Sequence, residues 1–352
     1  MNETLRGQIA EHAPVCLGDG GAWRAFLQKK HLRTLYLGGS VTQGYANYEI
    51  RWQSAYPMLT EQLLQARGYT VETTVIAEPG MDSMTCGVLA EKEFLPLEPD
   101  LVVLEFAIND TTLRHNVQSF ESLLRRILMM PSRPIVCLMM MRSANGYSCE
   151  SFMIPMAEHY GIPCISIRNG LEPFLADGSL TWAEFADGES HPTPEGHQLM
   201  AECLVHLADA GSRAPDAPKP LPEPWLDAPF TALHRIVPGD YPEIETDAPV
   251  KDTYEWFFKQ TWELAEGQHL TLRMQCRSVT VVFESHRIPE YGSCRVTVDG
   301  VPLREPMRSN SIYGWGNPRY MTVLLAEEPG LHTIELTAFD GLFRVLSLAV
   351  TE

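Results

Sequence analysis

Four stretches of this sequence hold the residue types that acyl transfer needs. Gly38-Gly39-Ser40-Val41-Thr42-Gln43-Gly44 sets a serine among glycines, and Glu78-Pro79-Gly80-Met81-Asp82-Ser83 offers a turn glycine. Phe106-Ala107-Ile108-Asn109-Asp110 brings a side-chain amide, and Asp187-Gly188-Glu189-Ser190-His191-Pro192 an imidazole flanked by acids. Acyl transfer takes a hydroxyl to attack, an imidazole to accept its proton, a carboxylate to orient the imidazole, and donors where the oxyanion develops. Ser40 and His191 supply the first two, and an acid near 187–189 the third. The N–H groups of Ser40 and Gly80 and the Asn109 amide supply the donors. Alone, each has a plainer structural reading: a turn serine capping a helix, an Asn-Asp turn, a His-Pro loop. Their order and their placement carry the inference.

That placement comes from the elements around them. Apolar runs at 32–37, 70–77, 100–107, 134–140 and 162–167 read as strands. Helical segments at 54–67, 83–95, 116–130 and 150–160 separate them, and one at 194–209 closes the series. Val117, Phe120, Leu124 and Ile127 recur every three or four residues on one helix face. Short apolar strands interleaved with amphipathic helices predict a parallel sheet covered on both faces, with ligands at the carboxyl ends of the strands. Ser40, Gly80 and Asn109 follow three successive strands, and His191 precedes the closing helix.

Prolines at 215, 218, 220, 222, 224 and 229 mark an abrupt change of composition, read as a semi-extended linker. The expected division is a first domain over 1–212, a linker over 213–229 and a second domain over 230–352. Beyond the linker the period falls to two, in segments at 269–275, 278–285, 294–299, 320–325, 332–338 and 343–350. Asp299-Gly300 and Pro329-Gly330 read as turns between them, and the whole as an antiparallel sandwich or jelly roll.

With 45 acidic against 27 basic residues and a net charge of −18, a nucleic-acid partner is excluded as a reading. Neither a signal core nor a membrane-length apolar run occurs, so the expectation is a cytoplasmic protein without membrane contact. The eight cysteines are scattered, with no C-x-x-C pair and no zinc-type spacing. They read as free thiols, and no metal or other cofactor is implied.

Gly38-Gly39-Ser40-Val41-Thr42-Gln43-Gly44, Gly80, Ala107-Ile108-Asn109-Asp110 and His191-Pro192 together resemble the four blocks of the SGNH hydrolases, or GDSL-type esterases, over residues 32–209. The resemblance implies a flavodoxin-like three-layer fold, a serine nucleophile at Ser40 and metal-free ester hydrolysis. A standard α/β-hydrolase would instead carry G-x-S-x-G. Gly39 stands where many members have Asp, and Ala107 where glycine is usual. Gly188 occupies the position three residues before the histidine, where the family places its acid. Asp187 is the preferred acid, since a bulge absorbs one extra residue; Glu189, or a dyad with no acid, stays open.

The G-G-S start followed by a β-rich module resembles carbohydrate esterases that remove acetyl groups, which implies an acetylated oligosaccharide substrate. Tyr291, Tyr313 and Trp315 in the second domain are candidates to stack on sugar, and Arg142 and Tyr147 in the loop after the fourth strand are candidates to contact substrate. Two other readings remain. One is a lipase or thioesterase of the same fold, against which stands the lack of an amphipathic lid; the other is a glycan-binding protein with a degenerate site.

Overall fold

The computed structural model describes residues 1–44, 52–241, 244–253 and 257–352. These divide into two units, Met1–Cys86 with Glu93–Ala228, and Gly87–Lys92 with Pro229–Glu352.

The chain begins with α1 (Glu3–His12), β1 (Pro14–Cys16) and α2 (Gly20–Gln28). Asn2 caps α1 by accepting the Leu5 N–H at 2.9 Å, and Asp19 caps α2 by accepting the Gly21 N–H at 3.0 Å. There follow β2 (His31–Gly38), α3 (Ser40–Gln43), α4 (Tyr56–Ala66), β3 (Thr70–Ala77), α5 (Ser83–Glu93), β4 (Leu101–Glu105) and α6 (Arg114–Leu128). The series ends with β5 (Ile135–Met140), α7 (Glu150–Tyr160), β6 (Cys164–Ser166), α8 (Ile167–Ala176), α9 (Trp182–Phe185) and α10 (Pro194–Ser212).

The sheet runs β1-β6-β5-β4-β2-β3. Strands β2 to β6 are parallel, in the flavodoxin-like order, and β1 adds an antiparallel edge beside β6. An all-parallel sheet was the expectation; a strand of three residues is too short to show any period. Both faces are dry. On β4, Leu101 and Val103 join one core with Trp23, Phe26, Leu199 and Leu204, whereas Val102 and Leu104, equally buried, point to the opposite side. A chain order that reverses direction at β2 leaves a crevice between the loops after β2 and β4.

Residues 213–228 form neither helix nor strand, and they belong to unit 1 rather than standing apart as a linker. They are bonded along their length. Pro215 accepts the Gly20 N–H at 3.1 Å, Lys219 Nζ donates to the Glu158 carbonyl at 2.9 Å, and Pro222 accepts Arg125 Nη1 at 2.6 Å. The buried Glu121 carboxylate takes the N–H groups of Leu226 and Asp227, both at 3.0 Å. Proline lacks a backbone donor but keeps its carbonyl, and the carbonyls of Pro215 and Pro222 are bonded in this way, while the non-proline residues of the segment donate.

Unit 2 holds β7 (His234–Ile236), β8 (Glu245–Thr246), β9 (Val250–Asp252), β10 (Gln260–Leu264) and β11 (His269–His286). It continues with β12 (Ser293–Val298), β13 (Val301–Pro302), β14 (Met307–Arg308), β15 (Trp315–Phe339) and β16 (Phe343–Thr351), all pairing antiparallel. Two long strands serve two sheet halves. The first part of β11 pairs with the last part of β15, beside β12; its second part pairs with the start of β15 and with β16. Inner faces of both halves meet in one core that includes Leu270, Leu272, Val281, Leu336 and Val345.

Pro329-Gly330 is therefore not a hairpin turn. It lies inside β15 at a bulge, where the register jumps from Gly330 opposite Cys276 to Leu325 opposite Ser278. The missing proline N–H falls where the ladder is already broken, and the strand bends there. Asp299-Gly300 does turn the chain, with φ of 53° and 77°.

Candidate active site

β2 is buried along most of its length and stops at Gly38, next to Ala77 of β3 and Glu105 of β4 in the parallel register. Ser40 opens the one-turn helix α3 and is 7% exposed. A Cβ on Gly39 would come within 2.6 Å of Asn109 Oδ1, so the Asn109 amide lies close against the serine turn.

After β3, Glu78 accepts the Met81 N–H at 2.9 Å across a turn with Pro79 second and Gly80 third, at φ 77°. This is the residue pattern of a type II turn. After β4, the Phe106 carbonyl accepts the N–H groups of Asn109 and Asp110 at 3.0 and 2.9 Å, a tight turn that lays the Asn109 amide beside Gly39, the residue before Ser40. Asp110 is buried and accepts the Ser83 N–H at 2.9 Å. Burial, reinforced by Asp82, pushes the Asp110 carboxyl above the usual range.

The histidine loop closes on itself. Asp187 N–H donates to the His191 carbonyl at 2.9 Å, and Ala186 bridges Pro192. Within it, Asp187 Oδ1 accepts three consecutive backbone N–H groups, those of Glu189, Ser190 and His191, at 2.9, 2.9 and 3.0 Å. Asp187 Oδ2 lies 3.0 Å from His191 Nδ1, and His191 Nε2 lies 3.1 Å from Ser40 Oγ. A carboxylate only accepts, so Nδ1 carries the hydrogen and Nε2 is free to take the proton of Ser40. Burial works to raise the Asp187 pKa, but the N–H groups of His191 and Glu189 and the imidazole outweigh it and hold it below the usual carboxylate range. The four-residue spacing is thus absorbed by the loop. Glu189 contributes backbone: its side chain is exposed, while its N–H meets Asp187 and its carbonyl accepts the Ala144 N–H at 2.6 Å.

Further residues hold this loop in place. Trp182 Nε1–H donates to the Asp187 carbonyl at 2.6 Å, and Arg142 lies 5.0 Å over the Trp182 ring. Arg142 also donates to the carbonyls of Ser143 and Ala144 and faces Glu172 at 3.8 Å. Its guanidinium therefore supports the histidine loop rather than standing open to a substrate. Tyr147 is partly exposed, with its OH donating to the Asp110 carbonyl at 2.6 Å. Sequence reasoning missed Trp182. A signal was present, since Thr181 and Glu184 form a capping box around the short helix α9.

In unit 2, Tyr313 and Trp315 are exposed, at 74% and 53%. Tyr291 is not a surface platform: it is buried, its OH donates to Glu284 Oε1 at 2.7 Å, and His286 stacks on its ring at 5.1 Å. Among the described residues, no three His, Cys, Asp or Glu side chains cluster to hold a metal ion.

Residues 36–199 match the model of the GDSL-like Lipase/Acylhydrolase family. The whole chain is similar in fold to a two-domain esterase (CEX) active on acetylated mannans, co-crystallized with mannopentaose. The two share 21% identity, with 97% of this chain and 98% of that one covered, at a TM-score of 0.87. A second crystal structure described as a two-domain esterase (CEX) active on acetylated mannans gives a TM-score of 0.86 at the same identity and coverage. No curated protein sequence matches this one.

Proposed function

We propose that this protein, whose residues 36–199 match the GDSL-like Lipase/Acylhydrolase family model, is a serine esterase that removes short acyl groups, above all O-acetyl, from oligosaccharides. The observation that carries the reading is the relay from Ser40 Oγ to His191 Nε2 at 3.1 Å and from His191 Nδ1 to Asp187 Oδ2 at 3.0 Å.

Ser40 Oγ attacks the ester carbonyl as its proton passes to His191 Nε2, and Asp187 stabilises the imidazolium that forms. The negative charge on the carbonyl oxygen meets the N–H groups of Ser40 and Gly80 and the Asn109 amide. His191 returns the proton to the departing sugar oxygen, leaving an acyl-serine. Water then attacks the acyl-serine, giving its proton to His191, and the carboxylic acid leaves as Ser40 regains a hydrogen. The saccharide assignment draws on the fold likeness to an esterase active on acetylated mannans and on the exposed rings of Tyr313 and Trp315, which would stack on sugar.

The test is acetate release from acetylated manno-oligosaccharides, compared with hydrolysis of octanoyl esters, for the wild type and Ser40→Ala. The expected result is release by the wild type alone, with acetyl far ahead of octanoyl. Preference for octanoyl would move the assignment to a lipase or thioesterase, and release by Ser40→Ala would remove Ser40 from the reaction.

A further inference from the structure

Two residues beyond Ser40, the same turn is tied to an acid that the steps above do not use. Glu105, the last residue of β4, is fully buried. Its Oε2 accepts the Thr42 hydroxyl at 3.3 Å. Thr42 has one hydroxyl hydrogen, so Tyr56, whose OH lies 3.1 Å from Thr42 Oγ1, is the donor in that contact. Glu105 Oε1 has no hydrogen-bond partner among the described residues.

Asp110, in the loop after β4, adds only repulsion. Tyr56 faces the group from α4, and His197 from α10 stacks on Tyr56 at 6.5 Å. Burial pushes His197 down to about 3, so it brings no positive charge. A carboxylate buried without a cation is costly, and a neutral acid is the cheaper form. The same cause, burial, raises Glu105 to about 8, with the Thr42 hydroxyl opposing it.

We propose that Glu105 is a positioning residue for ester hydrolysis: uncharged, it ties the turn that carries Ser40 to the strand that leads to Asn109, and so fixes the nucleophile against the oxyanion donor. This rests on the esterase reading above. The tie joins the two segments beside their last register pair, Gly38 with Glu105. An error of about 1 Å between reacting groups costs on the order of 10²-fold in rate, so a cross-tie at this point bears on kcat. Ionisation would draw the Thr42 hydroxyl toward the carboxylate and shift the serine turn.

The experiment is kcat and KM for 4-nitrophenyl acetate from pH 6 to 10, in the full-length wild type, Glu105→Gln, Glu105→Ala and Thr42→Val. The wild type loses kcat as pH rises through about 8. Glu105→Gln, which keeps an uncharged acceptor for Thr42, lowers kcat at pH 7 by at most about threefold and abolishes the alkaline fall. Glu105→Ala and Thr42→Val lower kcat by about tenfold or more, with KM within about twofold. If the alanine variant does not fold, the glutamine profile still decides. An alkaline fall unchanged in Glu105→Gln, or absent from the wild type, overturns the proposal while leaving the esterase intact. No turnover by the wild type would sink both.

Discussion

Asp187 has a side chain 37% exposed, with Oδ1 held by three backbone N–H groups and Oδ2 against an imidazole. Glu105 is fully buried, bonded only through Thr42, with Oε1 unpartnered among the described residues. The two carboxyls flank one serine turn. Donors hold the first below its ordinary range, while burial lifts the second to about 8. Charge state therefore follows what the backbone supplies, not residue type. A charged acid suits the group that must stabilise an imidazolium, and a neutral one suits a tie that must not disturb its surroundings.

The opposite shifts have opposite consequences with pH. Stability from Asp187 is present above the ordinary carboxylate pKa and lost as pH falls through its lower folded value. For Glu105, the folded state binds its proton more tightly than the unfolded chain, so stability declines as pH rises from about 4.5 to about 8.

The largest effect expected is at the charged acid. Asp187→Asn, which keeps shape and removes charge, should cost up to about 10⁴-fold in kcat. A loss under tenfold would mean that a Ser40–His191 dyad does the work and that the contrast between the two acids is idle. Asn109→Ala, on the Glu105 side of the serine, should lower kcat by about 10²–10³-fold with KM nearly unchanged, because its contact strengthens as charge develops. A change confined to KM would make Asn109 a ground-state contact. Next comes thermal stability: Glu105→Gln should gain on the wild type by at least about 3 °C between pH 5 and 8, as the wild type alone pays for ionisation on unfolding. A pH-independent difference would show that Glu105 is charged in the fold. Smallest of all is Glu189→Gln, within about twofold in kcat, since the loop uses only its backbone. A large loss there would transfer the role of the acid two residues along.

Much of this arrangement was legible because punctuation survives in sequence. Glycines and prolines at 38, 39, 79 and 80 mark strand ends by local rules, and apolar runs give the strands between them. Other features depend on tertiary contact and leave no local trace. Glu105 is one acid inside an apolar run, indistinguishable there from a strand-end residue facing water. The support that Arg142 gives the histidine loop requires Trp182, forty residues away, to be underneath it. β1 is three residues long, and α8, with a proline inside it, directly follows β6, so neither shows a separable period. Pro329-Gly330 carries the composition of a turn but sits in a bulge, because a strand shared by two sheet halves must bend somewhere. Tyr291 lies beside a glycine, as a loop aromatic would, yet Glu284 and His286 draw it inside.

The central claim is that Ser40 is the nucleophile, and a serine-directed phosphonate read by mass spectrometry tests it most directly. One adduct per chain, mapped to Ser40 and formed in step with loss of ester hydrolysis, is the predicted result. An adduct on another residue, or full turnover with Ser40 blocked, would contradict it.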